Sequence, residues 1–198
     1  MTGQISLLAI LAVAMFGGEA TAQLYAKPVS APGTPYEMDG YRVLPPPGKD
    51  WFEQKREKPY VYFGKRLKSR THSFIAIALS VPMDEKFEKP AEFLDYVFKL
   101  LAAAKDERNT VIESRVELDG ALGRFCVRYY TKAEDRDAAY AKGKVLLAET
   151  FGVSCLHPDR RDLVIDVSYT ERGHATEVSA ELRAEGESFV RSPKFMPR

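Results

Sequence analysis

The chain has 198 residues, 45% of them hydrophobic and 29% charged, with 29 Lys and Arg against 28 Asp and Glu. That length holds one domain with at most an appendage. The balanced charge excludes a global electrostatic attraction to nucleic acid or to an anionic membrane surface.

Residues 5–16 (ISLLAILAVAMF) form an uninterrupted low-polarity run of 12 residues, followed by Gly17-Gly18 and an A-x-A pattern at Ala20-Thr21-Ala22. This layout predicts a secretory signal peptide over residues 1–22, although Met1 to Gln4 contain no Lys or Arg. The run is shorter than the ~20 apolar residues a membrane-spanning helix needs, so no membrane span is expected. No cysteine stands near the cleavage pattern to carry a lipid. The mature chain would be residues 23–198, 176 residues with 29 basic and 27 acidic side chains. Its destination would be periplasmic or secreted, an oxidising space in which two cysteines read first as one disulfide.

Residues 23–36, with Pro28, Pro32, Gly33 and Pro35, read as a flexible leader, and 37–198 as a single domain. Asp39-Gly40 is a turn pair, 41–44 a short strand, and Pro45-Pro46-Pro47 its stop, because proline cannot donate to a ladder. Trp51 after a proline turn is expected to anchor the core, with its N–H reaching a partner. Residues 51–56 and 60–65 read as strands. The connection 65–72 is basic, with Lys65, Arg66, Lys68 and Arg70. It reads either as a solvated loop or as a patch for phosphate, sulfated glycan or a lipid headgroup.

Residues 73–81 (SFIAIALSV) alternate Phe74, Ala76 and Ala78 with Ile75, Ile77 and Leu79. Both faces are apolar, which predicts a central strand covered on both sides. Helix is expected over 90–109: Pro90 suits its first turn, Phe93, Val97, Leu100, Leu101 and Ala104 share one face, and Leu94 and Phe98 widen it. Strands follow at 110–118 and 121–131 across the Asp119-Gly120 turn, then a polar excursion at 133–143, then strands at 145–157 and 163–170. A second helix is expected over 174–190, with Val178, Leu182 and Phe189 inward and Glu177, Glu181, Glu185 and Glu187 outward. Gly186 should weaken its last turn. A short closing strand is expected within 192–196.

Cys155 and His157 lie two apart on a strand and project to one face. With Cys126 they admit a thiol–imidazole pair, a metal site or a Cys126–Cys155 disulfide, and the compartment favours the disulfide. Register decides it. The shortest hairpin would set Cys126 opposite Thr150, whereas a direct bridge requires Thr131 opposite Thr150 across a longer connection, and a third strand between the two would part the cysteines. Arg124 and Arg128 share a face with Cys126 and Tyr130. They read as a bidentate clamp for a carboxylate or phosphate, or as partners for acids of a covering helix such as Glu177 or Glu181. The chain contains no H-E-x-x-H, G-x-S-x-G, Gly-rich phosphate loop or C-x-x-C. No catalytic residue, metal or cofactor is therefore assigned.

Residues Tyr41-Arg42-Val43 with Pro47, Gly48 and Trp51, the strand at 73–81, the helix start Pro90-Ala91-Glu92-Phe93, and the closing Ser192 and Phe195 resemble the PsbP-like family of photosystem II extrinsic proteins and its Ran-binding relatives. The resemblance spans most of 41–196 in element order. It implies an α+β fold, an α/β/α sandwich with a largely antiparallel central sheet. It also implies a role as an accessory or assembly factor rather than an enzyme. The expected function is thus an exported, non-enzymatic module that binds another protein or complex of the cell envelope. The alternative is a binder of a small anionic ligand through Arg124, Arg128, Tyr130 and the basic loop.

Overall fold

In the computed structural model the described residues are 27–29, 31, 33–103, 109–138, 140–141, 143–174 and 179–197. The signal-peptide reading of residues 1–22 lies outside them. Among the described residues the elements are β1 (Lys27–Pro28), β2 (Tyr36–Glu37), β3 (Tyr41–Val43), β4 (Trp51–Glu57), β5 (Tyr60–Lys65), β6 (Ser73–Pro82), α1 (Pro90–Ala103), β7 (Asn109–Leu118), β8 (Cys126–Asp135), β9 (Leu146–Leu156), β10 (Leu163–Gly173), α2 (Ala180–Val190) and β11 (Lys194–Phe195). Eight strands form one sheet in the order β1-β4-β5-β6-β10-β9-β8-β7, and β11-β3-β2 form a second, small one. Every pairing is antiparallel.

The period-2 alternation of the strands assigns the two faces. On β10, Ile165, Val167 and Tyr169 point to the side of α2, where they join Leu182, Phe189 and Val190 in one core. Val164 points the other way, to α1, and packs with Phe93, Val97 and Leu101. The sheet is therefore the middle of three layers, the α/β/α sandwich that the resemblance implied. β6 behaves as its composition dictates: Phe74, Ala76 and Ala78 enter the α2-side core, and Ile77 and Leu79 are buried on the opposite face. Trp51 is 4% exposed and donates its indole N–H to Glu185 at 2.7 Å, the core anchor expected of it.

Several boundaries differ from the sequence expectation. Within the segment read as a leader, β1 pairs with β4, and the Val29 N–H donates to the Trp51 carbonyl at 3.0 Å, so these residues are tied to the sheet edge. β8 begins at Cys126 and not at 121, and it runs to Asp135, into the stretch read as a polar excursion. Residues 119–125 form a longer turn, because the Asp119 N–H donates to the Cys126 carbonyl and the Gly123 N–H returns to Asp119. Asn109 opens β7 rather than ending α1. Phe98 is 44% exposed and does not widen the buried stripe of α1. α2 starts at Ala180 because Ser179, extended at φ −115°, caps it through its Oγ, which accepts from the Leu182 N–H. His174 lies outside that helix.

The register of β8 on β9 sets Thr131 opposite Thr150 and Cys126 opposite Cys155. The cysteines are joined in a disulfide with their Cα atoms 4.1 Å apart, and the bridge lies buried in the α2-side core.

His157 fastens the small sheet to the large one. It is 0% exposed. Its Nδ1 accepts the N–H groups of Asp159 and Arg160, both at 3.1 Å, which leaves the ring proton on Nε2. That N–H lies 3.0 Å from the carbonyls of both Gly40 and Met196. Gly40 has φ +81°, and a Cβ there would stand 2.7 Å from the Leu163 side chain, so the approach requires glycine.

Candidate binding groove

Cross-strand pairing builds a row of rings over the α2 face of the sheet. Tyr130 on β8 opposes Phe151 on β9, which opposes Tyr169 on β10. The ring centroids are 4.6 Å apart for Tyr130–Phe151 and 5.2 Å for Phe151–Tyr169, and the latter pair is stacked. Phe74 continues the row from Tyr169 at 5.5 Å, and Trp51 continues it from Phe74 at 5.5 Å. At the other end the Arg115 guanidinium of β7 stands 5.6 Å from the Tyr130 ring. Such contacts add to burial and hold each ring's orientation.

α2 covers only part of this row. It packs tightly at Gly186, where a Cβ would stand 2.5 Å from Tyr169 Cγ. The glycine that weakens the helix by propensity thus lets the helix sit on an aromatic ring. Beyond β9 the helix layer stops, and a groove of about 710 Å³ opens over β7, β8 and β9. Its floor carries Tyr130, Phe151 and Val153. One wall is the α2 stripe Arg183, Glu187, Val190 and Arg191, and the other is Glu117, Asp119 and Arg128. That volume falls in the range of ligand clefts.

Most charges here are paired. Arg128 Nε lies 3.0 Å from Glu117 and 3.8 Å from Asp119, Arg183 bonds Glu149 at 3.1 Å, and Arg115 pairs with Glu113. Lys132 also meets Glu149, at 3.2 Å. Burial, with Glu149 and Glu113 nearby, pushes the Tyr130 phenol up to about 12. Burial raises the Tyr169 phenol well above its usual range, and its hydroxyl has no hydrogen-bond partner among the described residues. Glu187 on α2 and Arg191, the residue that caps its C-terminal end one turn on, are exposed and make no side-chain ion pair among the described residues.

Two polar clusters belong to the core rather than to the groove. Glu185, expected on the outside of its helix, is buried and accepts from both Trp51 and Lys65, each through Oε2 and the latter at 2.5 Å. Gly48, at φ +94°, passes so close that a Cβ would collide with the Glu185 carboxylate. On the opposite face Asp166 is 5% exposed, and its carboxylate accepts from Tyr129 Oη at 2.9 Å and from Ser154 Oγ. Burial raises Asp166 to about 6 against the opposing pull of those two hydroxyls.

The residues singled out in the sequence separate into three groups. Arg128 and Tyr130 line the groove. Arg124 does not join them: it precedes β8, and its guanidinium stacks over Phe125 at 5.3 Å, a residue of the α1-side core. Nor does Arg128 turn to a helix acid, since the adjacent strand and turn supply Glu117 and Asp119; Glu177 lies outside the described residues. The basic loop does not converge either. Lys65 is spent on Glu185, Arg66 stacks on Phe52 at 5.8 Å and Arg70 on Tyr140 at 5.9 Å, and neither they nor Lys68 reaches the groove. The groove residues that sequence reading missed include Arg115, Phe151, Arg183, Glu187 and Arg191. Phe151 was legible once Thr131 was set opposite Thr150, because the neighbouring position then faces Tyr130. The helix pair had only its spacing of four to mark it.

Among the described residues no helix is long and apolar enough to cross a membrane. The class defined by this geometry is an antiparallel α/β/α sandwich with an open groove beside its C-terminal helix. No protein-family model matches the chain, and no curated protein matches it in sequence. Among solved structures it is similar to LpqN of Mycobacterium tuberculosis, described as involved in cell envelope biogenesis, with 14% identity and a TM-score of 0.48 over 87% of this chain and 91% of that one. It is also similar to the Ran-binding protein Mog1p of Saccharomyces cerevisiae, with 8% identity and a TM-score of 0.44 over 82% of this chain and 94% of that one.

Proposed function

We propose that this chain is an extracytoplasmic, non-catalytic accessory module that holds a partner protein of the cell envelope in the groove beside α2. The observation that carries the reading is the groove itself. Its lining combines Tyr130, Phe151, Arg115, Arg128, Arg183 and Arg191, and aromatic and Arg side chains are those that concentrate binding energy at protein interfaces. The location is supported by the Cys126–Cys155 disulfide and by the signal-like pattern of residues 1–22. The non-catalytic part is supported by the engagement of the reactive side chains: both cysteines are bridged, and His157 is saturated by backbone groups.

A photo-crosslinking residue at Tyr130, compared with one at Lys99 on the exposed side of α1, tests the reading in intact cells. A single discrete adduct from the groove and none from Lys99 is the expected result. Equal or absent adducts from both would overturn it. The Arg191 guanidinium, without a side-chain ion pair among the described residues, favours one second reading, a small anionic ligand, which native mass spectrometry of the purified protein would reveal as a fixed added mass.

A further inference from the structure

The wall of the groove on α2 is a helix stripe. Arg183, Glu187, Val190 and Arg191 fall at i, i+4, i+7 and i+8, so they form one line along the helix facing the uncovered strands. Arg183 is held by Glu149, which leaves an acid at Glu187 and a base at Arg191, about one turn apart and free of each other. The floor between that line and the far wall is apolar at Tyr130, Phe151 and Val153. From β9 to β7 is two inter-strand spacings, about 10 Å. Packed helices lie about 8–10 Å axis to axis. An extended strand would fill only half that width, and the edge alternative is blunted: β7 carries a bulge between Val111 and Glu113, and alternating Glu113, Arg115 and Glu117. A small anion would find one guanidinium unpaired among the described residues, in a lining of four arginines and four acids.

We propose that the groove receives an amphipathic helix of the partner, side by side with α2, with an apolar stripe on Tyr130, Phe151 and Val153, a basic residue opposite Glu187 and an acidic residue opposite Arg191. This rests on the protein-binding reading above and gives its occupant a chemistry. The complementarity is of opposite charges at matched spacing, so it constrains the partner's sequence: one base and one acid about four residues apart, flanking the apolar stripe.

The test uses three synthetic helical peptides of the same apolar stripe, differing only in the charged pair four residues apart: Lys/Glu, Lys/Lys and Glu/Glu. Binding is followed by isothermal titration and by amide shifts of the full folded domain. The expected result is that the mixed peptide binds about tenfold more tightly than either like-charged one, with shifts at Tyr130, Phe151 and Arg191. Glu187→Arg, at an exposed position, should transfer the preference to the Glu/Glu peptide. Equal affinities for all three, an unchanged ranking in Glu187→Arg, or shifts away from the groove would overturn the proposal. So would groove shifts produced by inorganic phosphate and by none of the peptides, which would install a small anion instead. A Tyr130 crosslink to a protein that survives such a failure keeps the binding reading and removes the helix.

Discussion

Asp166 faces the α1 side of β10 with its carboxylate held by two hydroxyls and no ion pair among the described residues. Its folded value near 6 lies above the ordinary 3.8, so the folded state binds the proton more tightly than the unfolded one. The stability this contributes is complete below about pH 4 and is lost as pH rises through about 6. Asp166→Asn keeps both hydrogen bonds available and has no charge to bury. We expect the variant to match the parent near pH 4 and to exceed it by about 2–3 kcal/mol at pH 8, read from urea midpoints at both pH values. The Lys65–Glu185 pair gives the opposite result. Lys65→Met leaves a carboxylate with the Trp51 N–H alone and should cost about 3 kcal/mol, most of it recovered when Glu185→Gln is added. A double-variant urea series that shows no recovery would mean the pair acts only through packing.

Among the elements, α2 carries the clearest conflict between local preference and tertiary demand. Gly186→Ala raises helix propensity by about 1 kcal/mol, yet its Cβ would enter the Tyr169 ring at 2.5 Å. We expect a lower melting temperature and a net loss of about 1–3 kcal/mol. Propensity could place a glycine in the helix but not the ring beneath it, and Glu185 was assigned to solvent for the same reason: its partners Trp51 and Lys65 are 134 and 120 residues away in the chain. What the chain did disclose was periodic. The two-faced run at 73–81 gave the centre of the sheet, the Phe93–Val97–Leu101 stripe gave α1, and the condition for a Cys126–Cys155 bridge named the β8–β9 register that the structure has. The start of β8 differs from expectation because seven turn residues, not two, close its hairpin with β7. The bridge itself is tested by a thiol titration of the unreduced, denatured protein, which should find none. Replacing both cysteines by alanine should lower stability by about 3–4 kcal/mol for a separation of 29 residues.

At the scale of the molecule, one layer of the sandwich is complete only in part: α2 spans the middle of the sheet and leaves the β7–β9 side of that face open. The groove is thus a property of the architecture as much as of its lining. The small sheet has a different consequence. β3 pairs on one side with β2 and on the other with β11, where Tyr41 meets Phe195, and the His157 clasp takes one carbonyl from Gly40 and one from Met196. No nascent chain can close this seam until residue 196 has been synthesised, so the amino-terminal strands wait in an unfinished state through the making of everything between. Such a lock is late: β11, the last strand among the described residues, completes it. Removing residues 193–198 should hold the chain in that unlocked state, seen as rapid amide exchange at residues 36–43 while the eight-stranded sheet stays protected.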